Sequence, residues 1–235
     1  MAEALLTVRN LHAGYGAGDI LQGVDLDVAP GEIVAVVGRN GVGKTTLMKT
    51  IIGLVARRSG EIRFAGEDIS DRRPEDRARA GLGYVPQGKM IFAHLTVEEN
   101  LRMGERVNAA TPSDRALAFE YFPILKPHLA QKGGTLSGGE QQALAIARAL
   151  VGRPDVLLLD EPSESIQPSI VVEIGETLRR LNREIGVTVV LVEQNVGLIG
   201  ATAQRGYVLD KGRVTTELSR AELNDRELMV HHLSV

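Results

Sequence analysis

The sequence predicts an α/β domain with a mostly parallel central sheet, an antiparallel β layer at its N-terminal end and a helix-rich insert. Three observations carry this. The runs EIVAVVG (32–38), DVLLLD (155–160) and VTVVLVE (187–193) are dense in Val, Ile and Leu and stop at glycine or polar residues. That is the pattern of short parallel strands buried on both faces. Helical patterns lie between them, and strand-helix alternation builds a parallel sheet. The stretch LLTVRNLHAGYGAGDILQGVDLDVAPGE (5–32) instead alternates and is broken by Gly and Pro, which predicts antiparallel strands.

The remaining elements follow in order. The middle, about 88 to 155, is helix-rich. Within it LTVEENL has a capping-box spelling, with Thr96 as N-cap and Glu99 three residues on. EQQALAIARAL (140–150) sets Leu144, Ala147 and Leu150 on one helical face. IVVEIGETLRRLNRE (170–184) is a second amphipathic helix, and RGYVLDKGRVTTEL (205–218) reads as a hairpin turning at Asp210-Lys211-Gly212. The basic stretch Asp71-Arg72-Arg73 is read as a solvated helix face.

Composition excludes several classes. The 235 residues can bury a substantial core, and 43% of them are hydrophobic. The net charge of −3 and the 3% aromatic content argue against a nucleic-acid partner. With no cysteine there is no disulfide and no thiolate metal site. No segment approaches the roughly 20 apolar residues of a membrane span. The start MAEALLTVRN lacks the features of a signal peptide, so a cytoplasmic chain is expected.

The most informative stretch is VAVVGRNGVGKTTL. Gly38, Gly43, Lys44 and Thr45 spell G-x-x-x-x-G-K-T between a buried strand and a helix, the context a phosphate loop needs. Gly38, Arg39, Asn40, Gly41, Val42, Gly43 and Thr46 are read as holding the nucleotide's phosphates, with the loop N–H groups turned toward phosphate oxygens and the following helix adding its positive end. Lys44 supplies a full charge to the β and γ phosphates, and Thr45 offers a hydroxyl to Mg²⁺. A P-loop NTPase core with ATP and Mg²⁺ is expected. In VLLLDEPSES, Asp160 and Glu161 leave the C-terminal end of a buried strand, where parallel sheets bind ligands. Asp160 is read as reaching Mg²⁺ and Glu161 as the general base that polarises the attacking water. LSGGEQQALAIARAL adds a second device: Ser137, Gly138 and Gly139 open a helix and present a hydroxyl and bare N–H groups to an anion.

These motifs occur in one order: Tyr15, the phosphate loop, YVPQ with Gln87, LSGGE, LLLDE, SESI and VEQN. In that order they resemble the ATP-binding cassette family along essentially the whole chain. The resemblance implies one nucleotide-binding domain over 1–235, with a RecA-like core at about 1–87 and 156–235 and a helical subdomain at about 88–155. It implies that Tyr15 stacks on adenine and that Gln87 contacts Mg²⁺ and the attacking water. Ser137, Gly138, Gly139 and Glu140 would close over ATP held by the opposite subunit of a head-to-tail dimer. The helical subdomain would dock on a membrane partner.

Within the family, GRNGVGKTTL, GLGYVPQGKMIFAHLTVEENL and DEPSESIQPSIVVEIG resemble the ATPases of branched-chain amino-acid and urea/amide importers. The spellings PQG and IQPSI lean to the urea/amide branch; SGGEQQ and VEQN fit the amino-acid branch at least as well. The resemblance implies two transmembrane permease subunits, a second and different ATPase chain (with a homodimer as the alternative for the isolated chain), an extracytoplasmic solute-binding protein, and a peripheral place on the cytoplasmic side of the membrane. Cassette ATPases acting on DNA or ribosomes carry long coiled-coil insertions or two fused cassettes, and neither is present. An intact Lys44, Asp160 and Glu161 argue against an ATP-binding regulatory module with little turnover, though Ser165 keeps that alternative open, and a metabolite kinase would have no use for LSGGE.

Two positions depart from the family pattern. Gln194 stands where most cassettes carry a histidine. Its neutral amide can hydrogen-bond a γ phosphate but cannot carry charge as imidazole can. It is expected to position γ phosphate while Glu161 does the base work. Ser165 stands where this group carries glycine. If that position needs positive φ, serine there costs on the order of 1 kcal/mol.

Overall fold

The computed structural model describes residues 4–16, 18–107 and 112–233. Residues 1–3 of the expected cytoplasmic start lie outside the described residues. In chain order the elements are β1 (Leu6–Ala13), β2 (Leu21–Val28), β3 (Ile33–Val37), α1 (Lys44–Ile52), β4 (Arg57–Phe64), β5 (Glu67–Asp68), α2 (Pro74–Arg79) and β6 (Leu82–Val85). The helical middle follows with α3 (Val97–Glu105), α4 (Pro112–Tyr121), two short 3₁₀ turns and α5 (Gly138–Val151). The chain then returns to the sheet through β7 (Val156–Asp160), α6 (Pro168–Ile185), β8 (Thr188–Val192), α7 (Val196–Thr202), β9 (Arg205–Asp210) and β10 (Arg213–Ser219), and ends on α8 (Arg220–Leu223) and α9 (Arg226–Leu233).

Two sheets form. The first, in the order β2-β1-β4-β5, is antiparallel throughout, as the alternating N-terminal pattern predicts. The second runs β10-β9-β3-β8-β7-β6. All its pairings are parallel except the β9–β10 hairpin. That hairpin turns through Lys211 and Gly212, both at positive φ, the geometry of a tight hairpin loop.

The three apolar runs are the centre of this second sheet. Every residue of β3, β7 and β8 is buried. Alternate side chains serve two cores, as the period of a strand dictates. Ile33, Val37, Leu157, Leu159, Val189 and Leu191 join the core beneath α5 and α6. Val34, Val36, Val156, Leu158, Val190 and Val192 join the core shared with α1 and the antiparallel sheet. Burial on both faces is why these runs show no polar alternation.

Two details differ from the sequence reading. The buried part of α5 is wider than the Leu144–Ala147–Leu150 stripe: residues 142–147 are all buried, because the helix is packed both by the sheet and by α3 and α4. Asp71-Arg72-Arg73 is not on a helix face. It forms the turn before α2, where Arg72 pairs with Glu67 and Arg73 with Asp76 at 3.0 Å. Proline at the first position of α2 ends that turn. Arg77 of α2 is buried and donates to the carbonyls of Thr50 and Ile51 at 2.8 and 2.7 Å. It thereby places a cation at the C-terminal end of α1, where a helix favours one.

Candidate ATP-hydrolysis site

β3 delivers the chain into the phosphate loop, and α1 begins at Lys44. The N-cap, Gly43, has φ +113, a conformation closed to most side chains, and makes no side-chain cap bond. The first turn of α1 carries no acidic residue. The helix therefore presents N–H groups with no side-chain cap and a positive end that no acidic residue of its own first turn offsets. Lys44 is 4% exposed, and its Nζ donates to the carbonyls of Gly38 and Arg39 at 2.7 and 2.9 Å. Burial pulls the Lys44 pKa down, and Glu161, 3.6 Å away, pulls it back up in part. A cavity of about 260 Å³ is lined by Asn40, Gly41, Gly43, Lys44, Thr45 and Thr46 of the loop, with Ile20, Gln87 and Glu161.

The end of β7 sets Glu161 in the lining of this cavity and Asp160 against its Thr45. Asp160 is 1% exposed. It accepts from the Thr45 hydroxyl at 3.1 Å and from the Tyr84 hydroxyl at 3.3 Å. Both donors are neutral, and burial pushes the Asp160 pKa up. Glu161 has φ +49, strained for a residue with a Cβ. The turn is held by hydrogen bonds from Glu161 N to Val192 O at 2.9 Å and from Glu164 N to Glu161 O at 3.1 Å. Its carboxylate faces back into the cavity, 3.4 Å from Gln87 Nε2 and 2.7 Å from Gln194 Nε2.

Gln194 follows the end of β8. Its Nε2 donates both to Glu161 Oε1 and to Asn40 Oδ1, the latter at 2.8 Å. The amide thus spans the carboxylate and the phosphate loop. The structure brings together Lys44, Thr45, Asp160, Glu161, Gln87, Asn40 and Gln194. The sequence reading missed Tyr84, whose hydroxyl donates to one oxygen of Asp160 from the neighbouring strand; that contact comes from strand register, which no spacing in the sequence signals. It also missed Glu193, whose carboxylate is buried beside the same site.

The other predicted residues lie outside this cavity. Ser137 caps α5, where Glu140 N donates to its hydroxyl at 3.3 Å and Ser137 N donates to Glu140 Oε2 at 2.7 Å. This is a closed capping box, so the turn is less bare than its glycines suggest: only Gly138 and Gly139 retain first-turn N–H groups without a cap. The segment packs against the loop after Glu161, with Ser165 O close to Gly138 and Ile170 close to Gly139. Tyr15 sits in the bend after β1 and is 53% exposed. Ser165 has φ +56, the left-handed conformation for which glycine is suited.

The arrangement is that of a nucleoside-triphosphate hydrolase, and comparison with known proteins narrows it. The model of the ABC transporter family matches residues 21–164, more than half of the chain. The chain belongs to the ABC transporter family. It is 42% identical over 223 residues to BraG, the high-affinity branched-chain amino acid transport ATP-binding protein of Pseudomonas aeruginosa, covering 93% of this chain and 94% of BraG. It is 40% identical over 225 residues to LivF of Archaeoglobus fulgidus, a probable branched-chain amino acid transport ATP-binding protein, covering 95% of each. LptB of Escherichia coli, the ATP-binding protein of a lipopolysaccharide export system, matches at 36% over 226 residues, 94% of this chain and 92% of LptB. Among solved structures, a dimeric ATP-binding cassette bound to ADP and phosphate after hydrolysis aligns with TM-score 0.81 and 28% identity, covering 92% of this chain and 98% of that one. A nucleotide-free cassette aligns with TM-score 0.87 over 99% of this chain, at 23% identity, and so speaks to the fold alone. As an ABC cassette the chain is an ATPase that works with permease subunits and dimerises.

Proposed function

We propose that this ATPase drives a membrane importer for branched-chain amino acids. The observation that carries the reading is the match to BraG and LivF over more than nine tenths of both chains in each pair. A second reading, a urea or short-amide importer, is favoured by the spellings PQG and IQPSI. The LptB likeness is lower, and it keeps export as an outcome that the test must allow. Uptake of labelled leucine and of labelled urea is compared in cells with and without the gene. Loss of leucine uptake supports the proposal. Loss of urea uptake alone replaces it with the second reading, and no loss of either overturns import of both solutes.

In the proposed mechanism the loop N–H groups, Lys44 and Thr45 bind the phosphates of ATP, and Tyr15 stacks on adenine. Lys44 exchanges its bonds to Gly38 O and Arg39 O for phosphate oxygens. Gln194 orients the γ phosphate while it holds Glu161, and Glu161 takes a proton from the attacking water. Thr45, Asp160 and Gln87 fit a magnesium ion. The donor set is all oxygen, and among the described residues the buried Asp160 carboxylate is hydrogen-bonded by the neutral hydroxyls of Thr45 and Tyr84. Bound there, Mg²⁺ would neutralise phosphate charge. Ser137, Gly138, Gly139 and Glu140 serve the nucleotide of a second ATPase chain.

An apolar groove of about 400 Å³ lies between α2, β6 and the helical middle, lined by Leu54, Phe92, Met103 and Arg148 among others. Leu54, Phe92 and Met103 are exposed, which is unusual for large apolar side chains set this close together. Arg148 donates to Met90 O at 2.8 Å and its guanidinium lies over the Phe92 ring, yet its Nη1 is buried without a partner. A short permease segment bearing an acceptor group fits this groove. A solute-binding protein acts on the far side of the permeases. Among the described residues no helix is long and apolar enough to cross a membrane. The reading places the chain on the cytoplasmic face, held by this contact to the permeases.

A further inference from the structure

Glu193 is the last polar group a buried strand should end on. It is 2% exposed; among the described residues it forms no salt bridge, and Lys44 acts on it only as a nearby charge without direct contact. Its compensation is three backbone N–H groups drawn from two separate loops. Oε1 accepts from Ser163 N at 2.9 Å. Oε2 accepts from Gln194 N at 2.7 Å and from Asn195 N at 2.8 Å. Such charge-assisted bonds are about twice as strong as neutral ones.

The two loops are those that carry Glu161 and Gln194. Glu161 sits two residues before Ser163, in the left-handed conformation that the surrounding structure must enforce. Gln194 begins the other loop, and its side chain meets Glu161 at 2.7 Å. Glu193 lines a cavity of about 420 Å³ with Gln87, Glu161, Ser163 and Gln194. Ser163 and Gln194 are only partly buried and Asn195 is exposed, so water could satisfy their N–H groups without any buried charge. The carboxylate adds placement rather than solvation.

We propose that Glu193 is a positioning residue for ATP hydrolysis, clamping the Glu161 turn to the Gln194 loop so that Glu161 faces Lys44 and the Gln194 amide spans Glu161 and Asn40 in one fixed geometry. Chemistry selects glutamate. A glutamine has one acceptor oxygen and an NH₂ group that would face an N–H donor on one side of the clamp. Aspartate is one methylene short and cannot serve both loops.

The test uses the full chain with Glu193→Gln, with steady-state ATPase rates, equilibrium binding of a fluorescent ATP analogue, and thermal melting. Displacement of a reacting group by about an ångström lowers turnover by up to ~100-fold. The expected result is a kcat at least ~10-fold lower, binding within ~3-fold of the parent, and a folded protein. In Gln194→Ala chains the added Glu193→Gln change should slow turnover much less than it does in the parent, because both act on one unit. A kcat within twofold of the parent overturns the proposal. So does a loss of binding in proportion to turnover, or full additivity in the double variant. If Glu193→Gln does not fold, Glu193→Asp carries the test: slowed turnover in a folded chain supports the clamp, and unchanged turnover overturns it.

Discussion

Two helices of this ATPase begin on glycine-bearing turns, and they begin differently. α1 starts at Gly43 with φ +113, no side-chain cap and no acidic residue in its first turn. α5 starts at Ser137 with a closed capping box and Glu140 in its first turn. The first end is left open and positive. The second is satisfied by its own side chains and carries a carboxylate that offsets the helix dipole. The open end lines the cavity with Lys44, Asp160 and Glu161 close by. The closed end packs against the loop at Ser165 and Ile170. An open end suits direct capture of phosphate within one chain. A closed end is stable alone and suits a contact completed by a second subunit.

The sharpest way to break this comparison is to damage each end separately. Lys44→Ala removes the charge at the open end, and single-chain ATP binding should fall at least ~100-fold, with turnover lost. Gly138→Asp places a carboxylate at the closed end. A Cβ there meets only Lys89 Nζ at 3.4 Å and Ser165 O at 3.6 Å, which is ordinary contact, and aspartate suits the first turn of a helix. The fold should survive and ATP binding at low protein concentration should stay within ~2-fold, while turnover falls at least ~10-fold. Equal loss of binding in both variants would show that the two ends act on one nucleotide within one chain.

Asp160→Asn separates stability from function at the open end. Burial raises the Asp160 pKa above its usual 3.8. A carboxylate with a raised pKa contributes its stability at low pH and loses it as pH rises through the folded value, so at neutral pH the buried charge is a burden. The neutral amide keeps partners in the rotatable hydroxyls of Thr45 and Tyr84. Thermal melting at pH 7 should rise by ~2–4 °C, about 1 kcal/mol, and the gain should shrink toward about pH 4. Magnesium-dependent turnover should fall ~100-fold. A variant that melts lower at neutral pH would contradict the burial argument.

Lys44 titrates with the opposite consequence for binding. Burial lowers its pKa below 10.5, so the folded chain gives up this proton before free lysine would. ATP affinity should weaken, by ~10-fold across the transition, as pH rises through that lowered value. Stability should rise in the same window, because the unfolded chain still holds the proton there. Isothermal binding and melting from pH 7.5 upward, with Lys44→Ala as the flat control, would show the two curves diverging. Parallel curves would mean that Lys44 stays charged throughout.

The open end was legible in the sequence and the closed end only partly. β3, β7 and β8 fall inside the apolar runs that marked them, because burial on both faces leaves an unbroken signal. G-x-x-x-x-G-K-T is one local segment, so its loop and helix could be placed without knowing the rest. Ser137-Gly-Gly-Glu140 spells a capping box as plainly as Thr96 to Glu99 does, yet its glycines invite the reading of a bare anion site. Tyr84 and Glu193 escaped because their roles arise from pairing. Tyr84 meets Asp160 across neighbouring strands, and Glu193 meets Ser163 across 30 residues of chain. Spacing along the sequence carries no trace of such contacts.

Ser165 lies on the seam between the two ends. It follows the Glu161 turn, and its carbonyl approaches the start of α5 at Gly138. Its φ of +56 is a conformation serine adopts at a cost of about 1 kcal/mol. Glycine removes that strain, but it gives the unfolded chain more freedom, which offsets about half of the gain. Ser165→Gly should therefore shift melting upward by no more than ~2 °C. Turnover should be at least that of the parent, because the backbone path that glycine prefers is the one already taken. A clear loss of turnover without loss of stability would mean that the serine side chain itself acts between the two ends. The comparison would then need a hydroxyl on the seam as well as an open turn and a closed one.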